Sequence, residues 1–271
     1  MFAERWIFDF IVYVFALSLV FALSDLLHAN QRSKRLSYGL LLLVWALQSF
    51  VFILQAASIL PGMFPIDSLF IYSWVLVSFT LIMHVIYPMP LLFFLTNFVS
   101  FLVLMIHVFV IQNVSDGLQE LYVSNLVLVH LSMAIAAYAA FSLSSIGTLL
   151  YLVHTNLLKK KKWTRFTMQM PSLDRLFSFS NWLVIAGVLL MTIAIVLGSL
   201  YAYQFVGAGF WRDLKIWTSL FVLLAYGSVL VQWTASSWQR RRIAWWNTLS
   251  FLTILLNYFL SQSSLSFHNW M

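Results

Sequence analysis

The sequence predicts an all-α protein, a polytopic transmembrane bundle of about eight spans with both termini on the non-cytoplasmic side. Three observations carry that expectation. Of 271 residues, 62% are hydrophobic and only 8% charged, with a mean hydropathy of +0.92, whereas a soluble domain is typically about 25% charged. Apolar runs of roughly 18 to 25 residues recur along the whole chain, each long enough to cross a hydrocarbon core of ~30 Å as a helix. The basic residues cluster at alternate ends of those runs. A β-barrel would show shorter segments alternating apolar and polar, but stretches such as Leu40–Ile53 and Leu183–Leu197 are apolar nearly all round.

Taken in order, the apolar windows place spans near 6–26, 38–58, 69–87, 91–112, 123–155, 177–203, 214–236 and 244–262. The first carries Glu4 and Asp9 at its start and no small-x-small cleavage pattern after it, so it reads as a retained span. The third and fourth are separated only by Tyr87-Pro88-Met89-Pro90, and paired prolines disfavour one unbroken helix, so a tight helical hairpin is expected. The fifth and sixth are longer than a bilayer requires and should tilt or project beyond it. On the fifth, Ala136, Ala140, Ser144 and Gly147 recur at helical spacing as a small-residue packing face. No repeat and no Gly/Ser or Pro linker divides the chain, so residues 1–271 read as one domain.

Orientation follows from charge, because cytoplasmic flanks of membrane spans are rich in Lys and Arg. Arg32, Lys34 and Arg35, then Lys159, Lys160, Lys161, Lys162, Arg165 and Arg175, then Arg240, Arg241 and Arg242 account for twelve of the fifteen basic residues. All three clusters fall on one side of an eight-span chain. The net charge of +7 is therefore read as topology and attraction to lipid headgroups, with no nucleic-acid partner expected. Trp6, Trp163, Trp211, Trp238, Trp245 and Trp246 lie near span ends, where indole suits the interface.

With no cysteine, disulfides, thiolate metal sites and thioether links are excluded, leaving His, Met, carboxylate and backbone for any metal chemistry. Neither His-Glu-x-x-His nor Gly-x-Ser-x-Gly occurs, and no enzyme is expected. Among six histidines, His130 lies roughly 10 Å down the fifth span from its outer end, and His268 lies in the outward C-terminal tail. His107 sits toward the outer end of the fourth span, while His84, His154 and His28 belong to the cytoplasmic half. Imidazole is a natural axial ligand for haem. A span histidine also serves simply as a hydrogen-bonding group between helices, and both readings stand for His130. Met133, one turn on, is read as core packing.

The connection between the sixth and seventh spans, Gly198-Ser-Leu-Tyr-Ala-Tyr-Gln-Phe-Val-Gly-Ala-Gly-Phe-Trp-Arg-Asp-Leu-Lys-Ile-Trp217, joins an aromatic-rich surface to a closely spaced Asp and Lys. It suits either a porphyrin edge or lipid headgroups. This segment resembles the Trp-rich signature of the cytochrome c assembly family, with Gly207, Phe210, Asp213 and Lys215 in register and Trp211 within it. Val206, Phe210 and Arg212 stand where that family usually has Trp. Leu128-Val-His-Leu-Ser-Met-Ala-Ile-Ala-Ala-Tyr-Ala-Ala-Phe141 is similar to the family's first outward histidine segment, and Phe259–His268 to the second. Ser24-Asp-Leu-Leu-His-Ala-Asn-Gln-Arg-Ser-Lys-Arg35 and Leu43-Val-Trp-Ala-Leu-Gln48 are similar to the HemX-type branch.

The resemblance implies a haem-handling or haem-sensing protein of the bacterial plasma membrane, binding haem b non-covalently. His130 and His268 would be the axial pair, with Gly207, Phe210, Trp211, Asp213 and Lys215 shelving the porphyrin. It further implies a role in cytochrome c assembly, with assembly proteins as partners, or in restraining glutamyl-tRNA reductase and so haem synthesis. From a different class, a multi-span transporter or channel for another small solute would require charged mid-membrane residues or paired broken helices. No span centre carries Lys, Arg, Asp or Glu.

Overall fold

The computed structural model of the protein describes residues 6–56, 68–86, 89–110, 125–161, 170–235 and 239–261. Among these residues eight helices follow one another: α1 (Trp6–His28), α2 (Gln31–Ala56), α3 (Ser68–Ile86), α4 (Pro90–Val110), α5 (Asn125–Lys159), α6 (Leu173–Val206), α7 (Leu214–Thr234) and α8 (Arg240–Ser261), with a 3-10 turn, Gly207–Arg212, between α6 and α7. No strand occurs among the described residues. All eight are long and apolar enough to cross a membrane, and each presents large apolar side chains outward, from Tyr13 and Val20 on α1 to Leu224 on α7 and Phe259 on α8. Water would not tolerate so continuous an apolar exterior; hydrocarbon does.

The helices begin and end where local chemistry dictates. Between α1 and α2 the chain turns within two residues: Ala29 takes a positive φ of 50°, its N–H bonding back to the Asp25 carbonyl at 2.7 Å. Asn30 then caps α2, its Oδ1 accepting from Arg32 N at 3.0 Å. Pro90 opens α4 as its first residue, the position where its missing N–H costs nothing. Ser172 caps α6 through Arg175 N. Accordingly α2 starts at 31 rather than 38, and α8 at 240 rather than 244, because Gln, Lys and Arg are good helix formers that a hydropathy window passes over.

The chain divides into two compact units, Met1–Val114 with Lys162–Met170, and Ser115–Lys161 with Pro171–Met271. In the first, α1 packs on α2 and α4, and α3 on α2 and α4, closing a ring of four helices. Ile11, Phe15, Leu41, Val44, Phe70 and Leu104 fill its centre. In lipid, apolar contact alone gives helices little reason to associate, so tight packing and interhelical hydrogen bonds must supply it. A buried polar seam does so: Gln48 Nε2 donates to Ser73 Oγ at 3.2 Å, and Ser100 Oγ donates to the Ser73 carbonyl at 3.0 Å.

The second unit is likewise a ring, α5 on α6 and α8, and α7 on α6 and α8, with the α5–α6 contact the most extensive. Of the small-residue stripe on α5, Ala140, Ser144 and Gly147 are buried and Ala136 is half-buried. Gly147 lies against the Ser180 side chain of α6, while Gly187 of α6 lies against the Phe141 ring of α5. Phe141 stacks on Tyr226 of α7 at 3.9 Å between centroids and 11° between planes, and the Tyr226 hydroxyl meets Ser145 Oγ at 3.0 Å. Asn247 of α8 donates to Ser144 Oγ at 2.7 Å, which in turn donates to the Ser180 carbonyl at 2.8 Å. At the far end of α8, Asn257 joins three helices, donating to the Tyr138 hydroxyl at 2.6 Å and accepting from Thr218 Oγ1 at 2.8 Å.

Candidate functional site

His130 sits in the second turn of α5, where antiparallel packing brings it to the last third of α6. Its Nδ1 lies 2.7 Å from the Ala194 carbonyl oxygen. A carbonyl only accepts, so Nδ1 carries the proton and donates it. The ring rests on Gly198, where a Cβ would stand 2.5 Å from its Cε1 and 2.8 Å from its Nδ1. Among the described residues, Nε2 has no hydrogen-bond partner. The arrangement commits one ring nitrogen as a donor, and in the neutral imidazole the other offers its lone pair.

The 3-10 turn and the start of α7 carry the other sequence-predicted residues. The helix α6 runs on to Val206, so the connection is shorter than the Gly198–Trp217 segment suggested: Gly207–Arg212 in the turn, then Asp213. Gly207 ends α6 at φ 66°, ψ −152°, with its N–H bonded to the Tyr203 carbonyl. That is a backbone region nearly reserved for glycine. Phe210 is buried and Trp211 about half exposed at 52%, the two rings 4.6 Å apart and 36° inclined. Trp217 Nε1 donates to the Trp211 carbonyl at 2.8 Å, and Tyr203 meets Phe210 edge-on at 6.2 Å. The four rings form a partly exposed aromatic shelf.

Asp213 is 1% exposed and caps α7, its Oδ1 accepting from Lys215 N at 2.9 Å. Asp213 and Lys215 thus lie together at the start of α7, with Phe210 and Trp211 on the turn leading into it. Ala194 and Gly198 complete the histidine's setting and were not singled out from sequence. A backbone carbonyl has no residue signature, and a glycine within an apolar helix shows only as a gap.

The remaining histidines have other surroundings. His107 is fully buried among Phe8 and Phe70, with centroids 5.3 and 5.4 Å away. His84 stacks on Tyr38 at 4.9 Å, and it lines a small space with Asp25, Lys34, Ser37 and Phe93. His154 is buried at 7% exposure, and His28 ends α1. His268 lies outside the described residues. No group of three or more His, Cys, Asp or Glu that could hold a free metal ion occurs among the described residues.

Residues 35–268 match the family model described as Cytochrome C assembly protein. The chain is 35% identical over 270 residues to Protein HemX of Brevibacillus brevis, covering 98% of each chain. It is 33% identical over 262 residues to Protein HemX of Bacillus subtilis (strain 168), covering 95% of this chain and 94% of that one. No solved structure matches. With the matched region spanning most of the eight-helix chain and both relatives matching nearly end to end, the chain belongs to the cytochrome c assembly protein family as a HemX-type member.

Proposed function

We propose that this protein binds or senses haem b in the bacterial cell membrane, with both termini on the non-cytoplasmic side, and acts by binding rather than by catalysis. The supporting observation is the setting of His130: Nδ1 bonded to the Ala194 carbonyl at 2.7 Å, with Nε2 unpartnered among the described residues. Metal-ligating imidazoles commonly donate the second ring N–H to a carbonyl or carboxylate, which fixes the ring and raises its basicity. The donor chemistry therefore fits an axial haem ligand. Bound haem would supply an iron that accepts imidazole nitrogen and an apolar ring system bearing anionic carboxylates.

This chain's residues would divide the work. His130 and His268 would hold the iron through their imidazole nitrogens; the family match extends to His268. Phe210 and Trp211 would offer apolar ring faces, and Lys215 a positive charge toward the carboxylate edge. Asp213 holds the start of α7. In this reading the basic ends of α5 and α8, at Lys159 and Arg240–Arg242, face the cytoplasm. The protein would act in cytochrome c assembly or in restraining glutamyl-tRNA reductase, the latter through contact on that basic side.

Absorption spectroscopy of protein purified from haem-replete cells tests the proposal. The expected spectrum is a bis-histidine Soret band with α and β bands, weakened in both His130→Ala and His268→Ala. Colourless wild-type protein would overturn it, and is the outcome that a transporter of another small solute predicts.

A further inference from the structure

A helical side chain leans toward the helix N-terminus and covers the turn preceding its own Cα. The residue at 198 would therefore cover the backbone at 194, four residues earlier. Glycine at 198 leaves that carbonyl bare on the side facing α5, and the His130 ring occupies the vacated space. Two independent features thus meet at one imidazole: a hydrogen bond of 2.7 Å from Nδ1 to Ala194 O, and an absent side chain whose Cβ would fall 2.5 Å from Cε1. Real Cβ atoms essentially never approach so closely, so ring and Cβ cannot share the place.

We propose that Gly198 and the Ala194 carbonyl form a notch that selects the Nδ1-protonated tautomer of His130 and presents Nε2 as its ligating atom. Gly198 is a positioning residue; it acts through His130 and touches no ligand. Tautomer selection is a property of the haem-free protein, while presentation of Nε2 to iron rests on the haem-binding reading above. An unconstrained neutral imidazole in water interconverts between tautomers, whereas one whose Nδ1 faces a carbonyl at 2.7 Å keeps its proton on that side. The notch also accounts for a glycine in the interior of a long helix, where it costs about 1 kcal/mol relative to alanine.

Nitrogen-15 NMR of histidine-labelled, haem-free protein in nanodiscs reads the tautomer directly, with the His130 signals assigned by their loss in His130→Ala. Wild type should show the Nδ1–H pattern, and Gly198→Ala should lose it in favour of a mixture or the Nε2–H form. Haem titration then reads the consequence: Gly198→Ala should retain haem about 10–100-fold more weakly, the usual effect of removing a partner behind a ligating histidine. An unchanged tautomer in Gly198→Ala overturns the notch, even if wild type binds haem through His130. A wild type that shows the tautomer but no haem spectrum overturns the haem reading and leaves the notch standing. Gly198→Ala in the His130→Ala background should purify and melt like His130→Ala alone, because the ring is gone. If Gly198→Ala unfolds the protein in both backgrounds, the glycine serves helix packing and the proposal falls. A further variant, His130→Gly, should take up free imidazole with recovery of the haem spectrum, and should fail to do so when combined with Gly198→Ala; equal rescue in both backgrounds overturns the notch.

Discussion

Two backbone positions with positive φ make opposite predictions. Gly207 ends α6 at φ 66°, ψ −152°, where a Cβ is strained whatever space surrounds it. Gly207→Ala should cost about 1–3 kcal/mol of stability, read as a lowered melting temperature in detergent. Ala29 closes α1 at φ 50° with a side chain that the left-handed region penalises. Ala29→Gly should stabilise the first unit by about 1 kcal/mol in the same assay. At this scale the sequence offers His130, Gly207 and the aromatic run as candidates by residue type. It does not identify what they meet, because the partner of His130 is a main-chain oxygen and the space beside it is defined by a missing atom. Asp213 illustrates the complementary limit. Its place beside Lys215 suggests a ligand contact, and the structure uses it first as the cap of α7.

Hydropathy locates all eight helices, since a membrane demands apolar runs of a set length, but misplaces ends that leave the hydrocarbon. The first turns of α2 and α8 and the last turn of α6 are helical for reasons of propensity and capping, to which hydropathy is blind. Packing between helices is where the energetics concentrate. The layer Gly187, Phe141 and Tyr226 joins α6, α5 and α7 through a glycine, a ring and a second ring. Removing only the Tyr226 hydroxyl, which meets Ser145 Oγ, should cost about 0.6 kcal/mol in Tyr226→Phe, the average for an interhelical hydrogen bond in a membrane. Phe141→Ala removes the middle ring of the layer and should cost about 3 kcal/mol or more. Steric-trapping or denaturant titration in bicelles would separate the two, and equal effects would contradict the layered packing.

Both units are rings of four consecutive helices, a likeness absent from the sequence as a repeat. Many apolar residues serve equally well against lipid, so the architecture imposes little on their identity. The arrangement of charges is more constrained, and it makes the orientation testable. The chain contains no cysteine, so single reporters need no background removed. Lys160→Cys, just beyond α5, and Trp211→Cys, in the turn between α6 and α7, should react with a membrane-impermeant maleimide from opposite faces of sealed vesicles. In intact cells Trp211→Cys should be the one labelled. Labelling of both from one face would contradict a transmembrane α6 and with it the alternation of basic clusters.

The α5–α6 seam has a consequence for how the second unit can move. Its three close pairs, Gly147 with Ser180, Phe141 with Gly187 and His130 with Gly198, step in opposite directions along the two helices. The intervals are unequal, like the cuts of a key, so no sliding of one helix along the other reseats all three together. Axial slippage is thereby locked out, and the height of the imidazole along α6 is set by teeth far removed from it. Motion within this unit is then expected first at the less extensive contacts of α7 and α8.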